Sequence, residues 1–282
     1  MAAFITSDSP VVLITGCSSG GIGYALCEAF AAEGCTVYAT SRRLESMTSL
    51  THPSIHCLEM DVTSDDSVKK CVEHIVHETG RVDFAIANAG IPCFGPVLDI
   101  SIEDAKTVMD TNVLGVLRLA QAVFPHMASR KQGTFMTLGS VIAYSAVPWA
   151  GLYCASKAAV SSVTEALQME ARALSPDIHV SLIVAAVVKS RFTSNSRFEI
   201  PKTSLFKSCA AGIRAVTETS VGSSIMPPSQ FAATIVHTAL RKQGPPQRLS
   251  YGSHVALFWV LRWLPVRLAH WVLWKIYGRT MP

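Results

Sequence analysis

Residues 15–23 read TGCSSGGIG, and how this stretch is read decides the fold. The glycine fingerprint of dinucleotide-binding turns, G-x-G-x-x-G, places its second glycine two residues after the first. Here Cys17, Ser18 and Ser19 follow Gly16 before Gly20, Gly21 and Gly23 arrive. The stretch is either a phosphate cradle of altered spacing or a flexible turn, and its flanks choose between the two. Upstream, residues 11–15 (VVLIT) form a continuous apolar, mostly β-branched run, the pattern of a strand covered on both faces. Downstream, residues 22–33 carry a helical pattern closed by Gly34. A glycine turn that leaves a strand and opens a helix can aim backbone N–H groups and the helix dipole at a pyrophosphate. Its glycines permit close approach and unusual φ angles.

The alternation continues. TVYATS (36–41) and IHCLEMDV (55–62) are strands, and Ser64-Asp65-Asp66 caps a helix that runs to about Gly80. VDFAIANAG (82–90) is a fourth strand, followed by a long helical region from about Ile102 to Arg130. GTFMTLGS (133–140), a helix over 152–174, and HVSLIVAAVV (179–188) complete six strands. This order predicts an α/β fold: a single Rossmann-type, doubly wound parallel sheet with helices on both faces and ligands at the carboxyl ends of its strands. No repeat or linker divides residues 1–250, which read as one domain, with residues 251–282 as a separate hydrophobic, basic helical tail.

At 282 residues, 49% apolar and 16% charged, the chain has ample material for a core. A net charge of +4 without a basic block gives no nucleic-acid face. Eight scattered cysteines with no C-x-x-C pair read as reduced, mostly buried thiols, and no metal is expected. The start, MAAFITSDSP, lacks a secretory signal pattern, so the domain is expected on the cytosolic side.

Tyr153 and Lys157 open a helical pattern at i, i+4 spacing, which puts phenol and ammonium on one face. A neighbouring cation favours the phenolate, so the tyrosine pKa is expected to fall towards a value useful in proton transfer. In isolation such a pair is a common feature of helix surfaces. Ser140, however, ends the fifth strand at the ligand-binding edge, and Asn112 sits within the long helical region, where asparagine is a poor interior residue. A buried asparagine there satisfies local backbone groups, takes part in chemistry, or does both.

The glycine turn, Asn88-Ala89-Gly90 after the fourth strand, Asn112, Ser140 and Tyr153-x-x-x-Lys157 together resemble the short-chain dehydrogenase/reductase superfamily over roughly residues 10–190. The resemblance implies that Tyr153 is the general acid/base and that Ser140 hydrogen-bonds the substrate carbonyl or alcohol. It implies further that Lys157 binds the nicotinamide ribose and that Asn112 holds a water of the proton relay. Gly16, Ser18, Ser19, Gly21, Ile22 and Gly23 would line the pyrophosphate, Asp61 and Val62 the adenine, and Asn88, Ala89 and Gly90 the cofactor beyond the fourth strand. The superfamily's Pro-Gly after strand six is replaced by Ala185-Ala186-Val187-Val188-Lys189-Ser190, where Val188 and Ser190 would meet the nicotinamide.

Cofactor choice lies at the end of strand two. NAD enzymes place a carboxylate there, whereas a 2′-phosphate needs a cation. Thr40 and Ser41 are followed by Arg42 and Arg43, with no acid until Glu45, so Ser41, Arg42 and Arg43 point to NADP(H). Residues 191–225 read as a lid over the substrate.

The tail differs from the body. No acid follows Glu218, and four of the five tryptophans fall at 259, 263, 271 and 274. The apolar run before Arg262 is shorter than the about 20 residues needed to span a bilayer. Beyond Pro265, Leu268, Ala269, Val272, Leu273 and Ile276 share one helical face, with Arg267, His270, Trp271, Trp274 and Lys275 on the other. That pattern suits a helix lying in a membrane or lipid-droplet interface; the alternative is packing on the body or in a homo-oligomer. Within the superfamily, this tail and the T-G-x-x-S-G-G-I-G turn are similar to NADPH-dependent 1-acyldihydroxyacetone-phosphate reductases. By that similarity the chain would reduce the ketone of an apolar, lipid-like substrate at the cytosolic face of the endoplasmic reticulum or a lipid droplet. The alternatives are an NADP-dependent alcohol, steroid or secondary-metabolite dehydrogenase in the cytoplasm, or a non-catalytic nucleotide-binding scaffold.

Overall fold

The computed structural model describes residues 9–193, 199–218 and 225–278, so the expected lid and the tail lie partly outside the described residues. Strand β1 (Val11–Thr15) leads through the glycine turn into α1 (Ile22–Ala32), then β2 (Thr36–Ser41) and β3 (Ile55–Glu59). Helix α2 (Asp65–Thr79) begins where Ser64 accepts a hydrogen bond from the Ser67 N–H and ends at Gly80 with φ 75°. Next come β4 (Phe84–Ala87), α3 (Ile102–Met109), α4 (Gly115–Arg130), β5 (Gly133–Ser140), α5 (Gly151–Leu174) and β6 (Ile178–Ala185). The chain continues with α6 (Ala210–Glu218), α7 (Pro228–Ala239), β7 (Arg248–Tyr251), α8 (Val255–Trp263) and α9 (Val266–Tyr277).

The sheet is parallel throughout, in the order β3-β2-β1-β4-β5-β6-β7. Six strands fall where the sequence places them; β7 is a seventh, pairing Leu182 with Arg248 through Ala185 with Tyr251. Its four half-buried residues, RLSY, carry neither a long apolar run nor alternation, so an edge strand of this kind leaves no periodic signal.

One face of the sheet is covered by α1 and α7, with Leu26, Phe30, Phe231 and Ile235 in its core. The other is covered by α2, α4 and α5 through Val72, Ile75, Leu119, Val123 and Val160. A third core lies beyond the carboxyl ends of β5 and β6, where Phe94, Trp149, Ile213, Phe258, Leu261, Ala269 and Leu273 meet. The order of strands reverses between β1 and β4, and that reversal opens the crevice in which this class of sheet binds ligands.

The tail is divided differently from its sequence pattern. Ala269 and Leu273 turn into the third core, whereas Leu268 and Ile276 from the same expected face stand exposed beside Trp271 and Trp274. In α8, Phe258 and Leu261 are buried while Trp259, Val260 and Trp263 face out. A narrow strip of each helix is enough to cover the body, and this leaves the tryptophans outside.

Candidate active site

The glycine turn absorbs its extra residue at Gly20. Gly21 donates its N–H to the Ser18 carbonyl at 3.1 Å, closing a four-residue turn in which Gly20 has φ 77°. Gly16 also has positive φ, 73°, and a Cβ there would stand 2.7 Å from the Ala89 Cα. A Cβ on Gly23 would stand 2.4 Å from the Asn88 Nδ2 and 2.5 Å from the Gly16 carbonyl oxygen. No side chain caps α1, and its first turn contains no acid. The first N–H groups of the helix therefore have no side-chain acceptor, and the turn before them leaves backbone where side chains would stand. These residues fit a dinucleotide pyrophosphate.

Ser18 and Ser41, both expected at the cofactor, lie 3.2 Å apart through their hydroxyls. The third member of their cluster is Ser46, within 3.1 Å of Ser18 and 2.9 Å of Ser41, which sequence reasoning missed. A tight 3-10 turn over Leu44–Met47 folds Ser46 back, and the Ser46 hydroxyl donates to the Arg43 carbonyl at 2.7 Å. No periodicity announces that return. Ser19 donates its N–H to the Ser46 carbonyl at 2.8 Å, and Arg42 and Arg43 are exposed alongside. Three hydroxyls and two guanidinium groups suit a phosphate ester. Asp61 holds the Thr63 N–H and hydroxyl through its Oδ1, at 2.9 and 2.8 Å, and Val62 is buried against Gly115.

Asn88 fastens β4 to the glycine turn: its Nδ2 donates to the Thr15 and Gly16 carbonyls at 2.7 and 3.0 Å. Ala89 donates its N–H to the Thr15 hydroxyl at 2.9 Å. Asn112 lies in a wider π-helical turn, Asp110–Leu114, that joins α3 to α4 and is closed by the Gly115 N–H on the Asp110 carbonyl. Its side chain is fully engaged. Oδ1 accepts from the Ile91 N–H at 2.8 Å, and Nδ2 donates to the Ile91 carbonyl and the Ser156 hydroxyl, each at 3.0 Å. Of the two roles open from sequence, local satisfaction is thus fully realised, tying the chain after β4 to α5. A Cβ on Gly90 would stand 3.3 Å from the Asn112 Oδ1 and 3.9 Å from the Lys157 Nζ, so this glycine passes directly over both.

Tyr153 and Lys157 lie one turn apart in the first half of α5, and Ser140 ends β5 with its Oγ accepting from the Ile142 N–H at 3.4 Å. Lys157 is 4% exposed, and its ammonium donates to the Leu138 carbonyl at 2.7 Å. Its Nζ stands 5.8 Å from the centre of the Tyr153 ring. Burial holds the Lys157 ammonium down to about 8. Burial also pushes the Tyr153 phenol up from its ordinary value, with Cys154 adding to the rise. The expected lowering by the ammonium is not found. Desolvation outweighs a cation whose Nζ lies at this distance and already serves a carbonyl.

The walls around Tyr153 are apolar. Phe94 and Phe192 lie 6.0 and 5.3 Å from its ring centre, and Ile142, Val147, Trp149, Ile200 and Phe206 belong to the same cluster. Phe192, Ile200 and Phe206 come from the expected lid. Val188 turns its side chain into the core beside α7 and pairs with Met226, while the Ser190 hydroxyl accepts from the Phe192 N–H at 3.4 Å. Arg191 lies over the glycine turn, its N–H on the Gly20 carbonyl at 3.3 Å and its side chain 3.2 Å from a Cβ position on Gly20.

The model of the short chain dehydrogenase family matches residues 10–200 of this chain. The chain belongs to the short chain dehydrogenase family. It is 38% identical, over 69% of its length and 67% of the relative's, to the NADPH-dependent 1-acyldihydroxyacetone phosphate reductase of Schizosaccharomyces pombe. It is 33% identical to the short-chain dehydrogenase ptmH of Penicillium ochrochloron, over 95% of this chain and 97% of that one. Among solved structures, a short-chain dehydrogenase from Streptomyces avermitilis superposes with a TM-score of 0.80 at 25% identity, covering 98% of this chain and 99% of that one. The protein is thus an oxidoreductase with the family's fold, and the expected NADP(H) is the cofactor named for the fission-yeast relative.

Proposed function

We propose that this short chain dehydrogenase is an NADPH-dependent reductase of a ketone on an apolar substrate, with Tyr153 as the proton donor. The observation that carries the reading is a phenol packed against Phe94 and Phe192, one helical turn from a buried ammonium that lies against Gly90 just after β4. The glycine turn and the open end of α1 bind the pyrophosphate, Ser18, Ser41, Ser46, Arg42 and Arg43 take the 2′-phosphate, and Lys157 holds the ribose. NADPH, when bound, supplies the hydride. Tyr153 gives its proton to the ketone oxygen, which Ser140 orients by a hydrogen bond. A phenol whose pKa is raised by burial stays protonated through the physiological range, and so is set to donate.

Two substrate classes follow from two observations. The fission-yeast relative supports an acyldihydroxyacetone-phosphate-like lipid. An uncharged ketone, such as a steroid or secondary metabolite, is supported by the apolar side chains around Tyr153, Phe94, Phe192, Ile200 and Phe206 among them. NADPH oxidation is expected with at least one ketone from a lipid, steroid and polyketide panel, and NADH is expected to serve poorly in its place. A panel that gives no turnover with either cofactor disposes of the reading.

The pH profile carries a sign. The active form has Lys157 protonated, and its pKa lies at about 8. The kcat/KM for reduction is therefore expected to be level below that value and to fall tenfold per pH unit above it. A profile flat from pH 6 to 10 would remove Lys157 from the reaction.

The reading extends to a place at the cytosolic face of the endoplasmic reticulum or a lipid droplet, with α8 and α9 in contact with the surface. Trp259, Val260, Trp263, Val266 and Trp271 are exposed on these helices, with Arg262, Arg267 and Lys275 among them and no acid after Glu218. No described helix is long and apolar enough to cross a membrane, so the contact would be lateral.

A further inference from the structure

The ten residues between Ser140 and α5 are gripped by the C-terminal helices at two points. At the first, the Arg262 guanidinium of α8 stands 4.5 Å over the ring of Tyr144, which the Arg248 guanidinium of β7 also approaches at 5.2 Å. At the second, Trp149 donates its Nε1 hydrogen to the Tyr277 carbonyl at the end of α9, at 3.2 Å, and lies 5.8 Å from Trp274 and 5.7 Å from Phe206. Trp149 is 7% exposed and has φ 66°, a left-handed backbone that a bulky side chain adopts only when its surroundings impose it. Its carbonyl accepts the Gly95 N–H at 2.6 Å, so the residue also holds the loop that carries Phe94. Four residues later comes Tyr153. The strain therefore sits between the two residues assigned to the ketone oxygen, where the tail meets the apolar cluster around Tyr153.

We infer that the tail helices and the 141–150 connection act as one unit, with Trp149 as a positioning residue, so that an anionic lipid surface seated on α8 and α9 adjusts the packing around Tyr153 for a ketone delivered from that surface. The inference rests on the reductase reading. The occupant follows from charge: the exposed apolar face carries Arg262, Arg267 and Lys275 with no acid in either helix, which matches anionic headgroups. A surface that favours one arrangement of a strained joint changes affinity at the site joined to it.

The test uses the full chain, NADPH, a small water-soluble ketone and a long-chain ketone, with vesicles of phosphatidylcholine alone or with phosphatidylserine. Phosphatidylserine vesicles are expected to float the protein and to lower KM for the long-chain ketone by about 5-fold or more, the lower range of coupling between sites. Its kcat and both constants for the water-soluble ketone should stay constant. Trp149→Phe keeps a ring but loses the N–H donor, and should float normally while its long-chain KM no longer responds to vesicles. Trp274→Ala, at a half-exposed position, should lose the same response while keeping turnover of the water-soluble ketone. The inference is overturned if the parent turns over both ketones with no vesicle response. It is equally overturned if both variants keep the response, or if the protein fails to float and forms dimers through this face instead. No turnover of either ketone sinks the reductase reading itself, and this inference with it.

Discussion

A Tyr153→Phe protein is expected to reduce its ketone about 10²- to 10⁴-fold more slowly than the parent, the range for a lost general acid. The change removes one oxygen from a ring packed between Phe94 and Phe192, so the apolar wall stays filled and the fold should hold. Lys157 keeps its bond to the Leu138 carbonyl, and the glycine turn is untouched, so NADPH should bind as it does to the parent. Single-turnover kinetics read the chemical step, and the fluorescence of bound NADPH reads the affinity. A variant that binds NADPH and turns over at the parental rate would show that another group delivers the proton.

Gly23→Ala is expected to damage the nucleotide side as severely. The new methyl would have to find room 2.4 Å from the Asn88 Nδ2 and 2.5 Å from the Gly16 carbonyl oxygen. The second of these is backbone of the glycine turn, so relief moves the turn proposed to hold the pyrophosphate. Overpacking of this kind costs about 1–3 kcal/mol, and displacement of the Asn88 amide would also break its bonds to the Thr15 and Gly16 carbonyls. Urea unfolding should show the loss of stability, and NADPH should no longer protect the variant at concentrations that protect the parent. Gly21→Ala is the comparison. Its φ of −95° is ordinary, and the nearest obstacle, the Ser18 carbonyl, stands at 3.1 Å, so it should cost less. Equal stability and equal NADPH protection for Gly23→Ala and the parent would disprove the close approach.

The parts that were legible in the sequence are those with a period or a punctuation mark. Strand β1, the glycine turn and α1 read in order because apolar run, glycines and helical spacing adjoin each other. Ser64 and Gly80 mark the ends of α2 through side-chain capping and positive φ. Tyr153 and Lys157 share a face by arithmetic alone. What stayed hidden depends on partners distant in sequence. Ser46 joins Ser18 and Ser41 only through a short turn, and Trp149 meets Tyr277 across 128 positions. The sign of the Tyr153 shift is hidden as well, because spacing reveals a neighbouring charge but not the loss of water around both groups. In the tail, helical periodicity gave the apolar positions, and only the body decided that Ala269 and Leu273 would turn inward while Leu268 stayed out.

The strand reversal between β1 and β4 has a consequence for how such a protein can be altered. Across it, Gly16 and Gly23 after β1 and Asn88 after β4 form the close-packed turn proposed to hold the nucleotide, made largely of backbone and with little tolerance for substitution. Farther along, beyond β5 and β6, the apolar cluster around Tyr153 draws its side chains from the chain after β6 and from the last two helices. Grafting those segments from a sibling enzyme should therefore transfer the choice of ketone while the hydride chemistry stays in place.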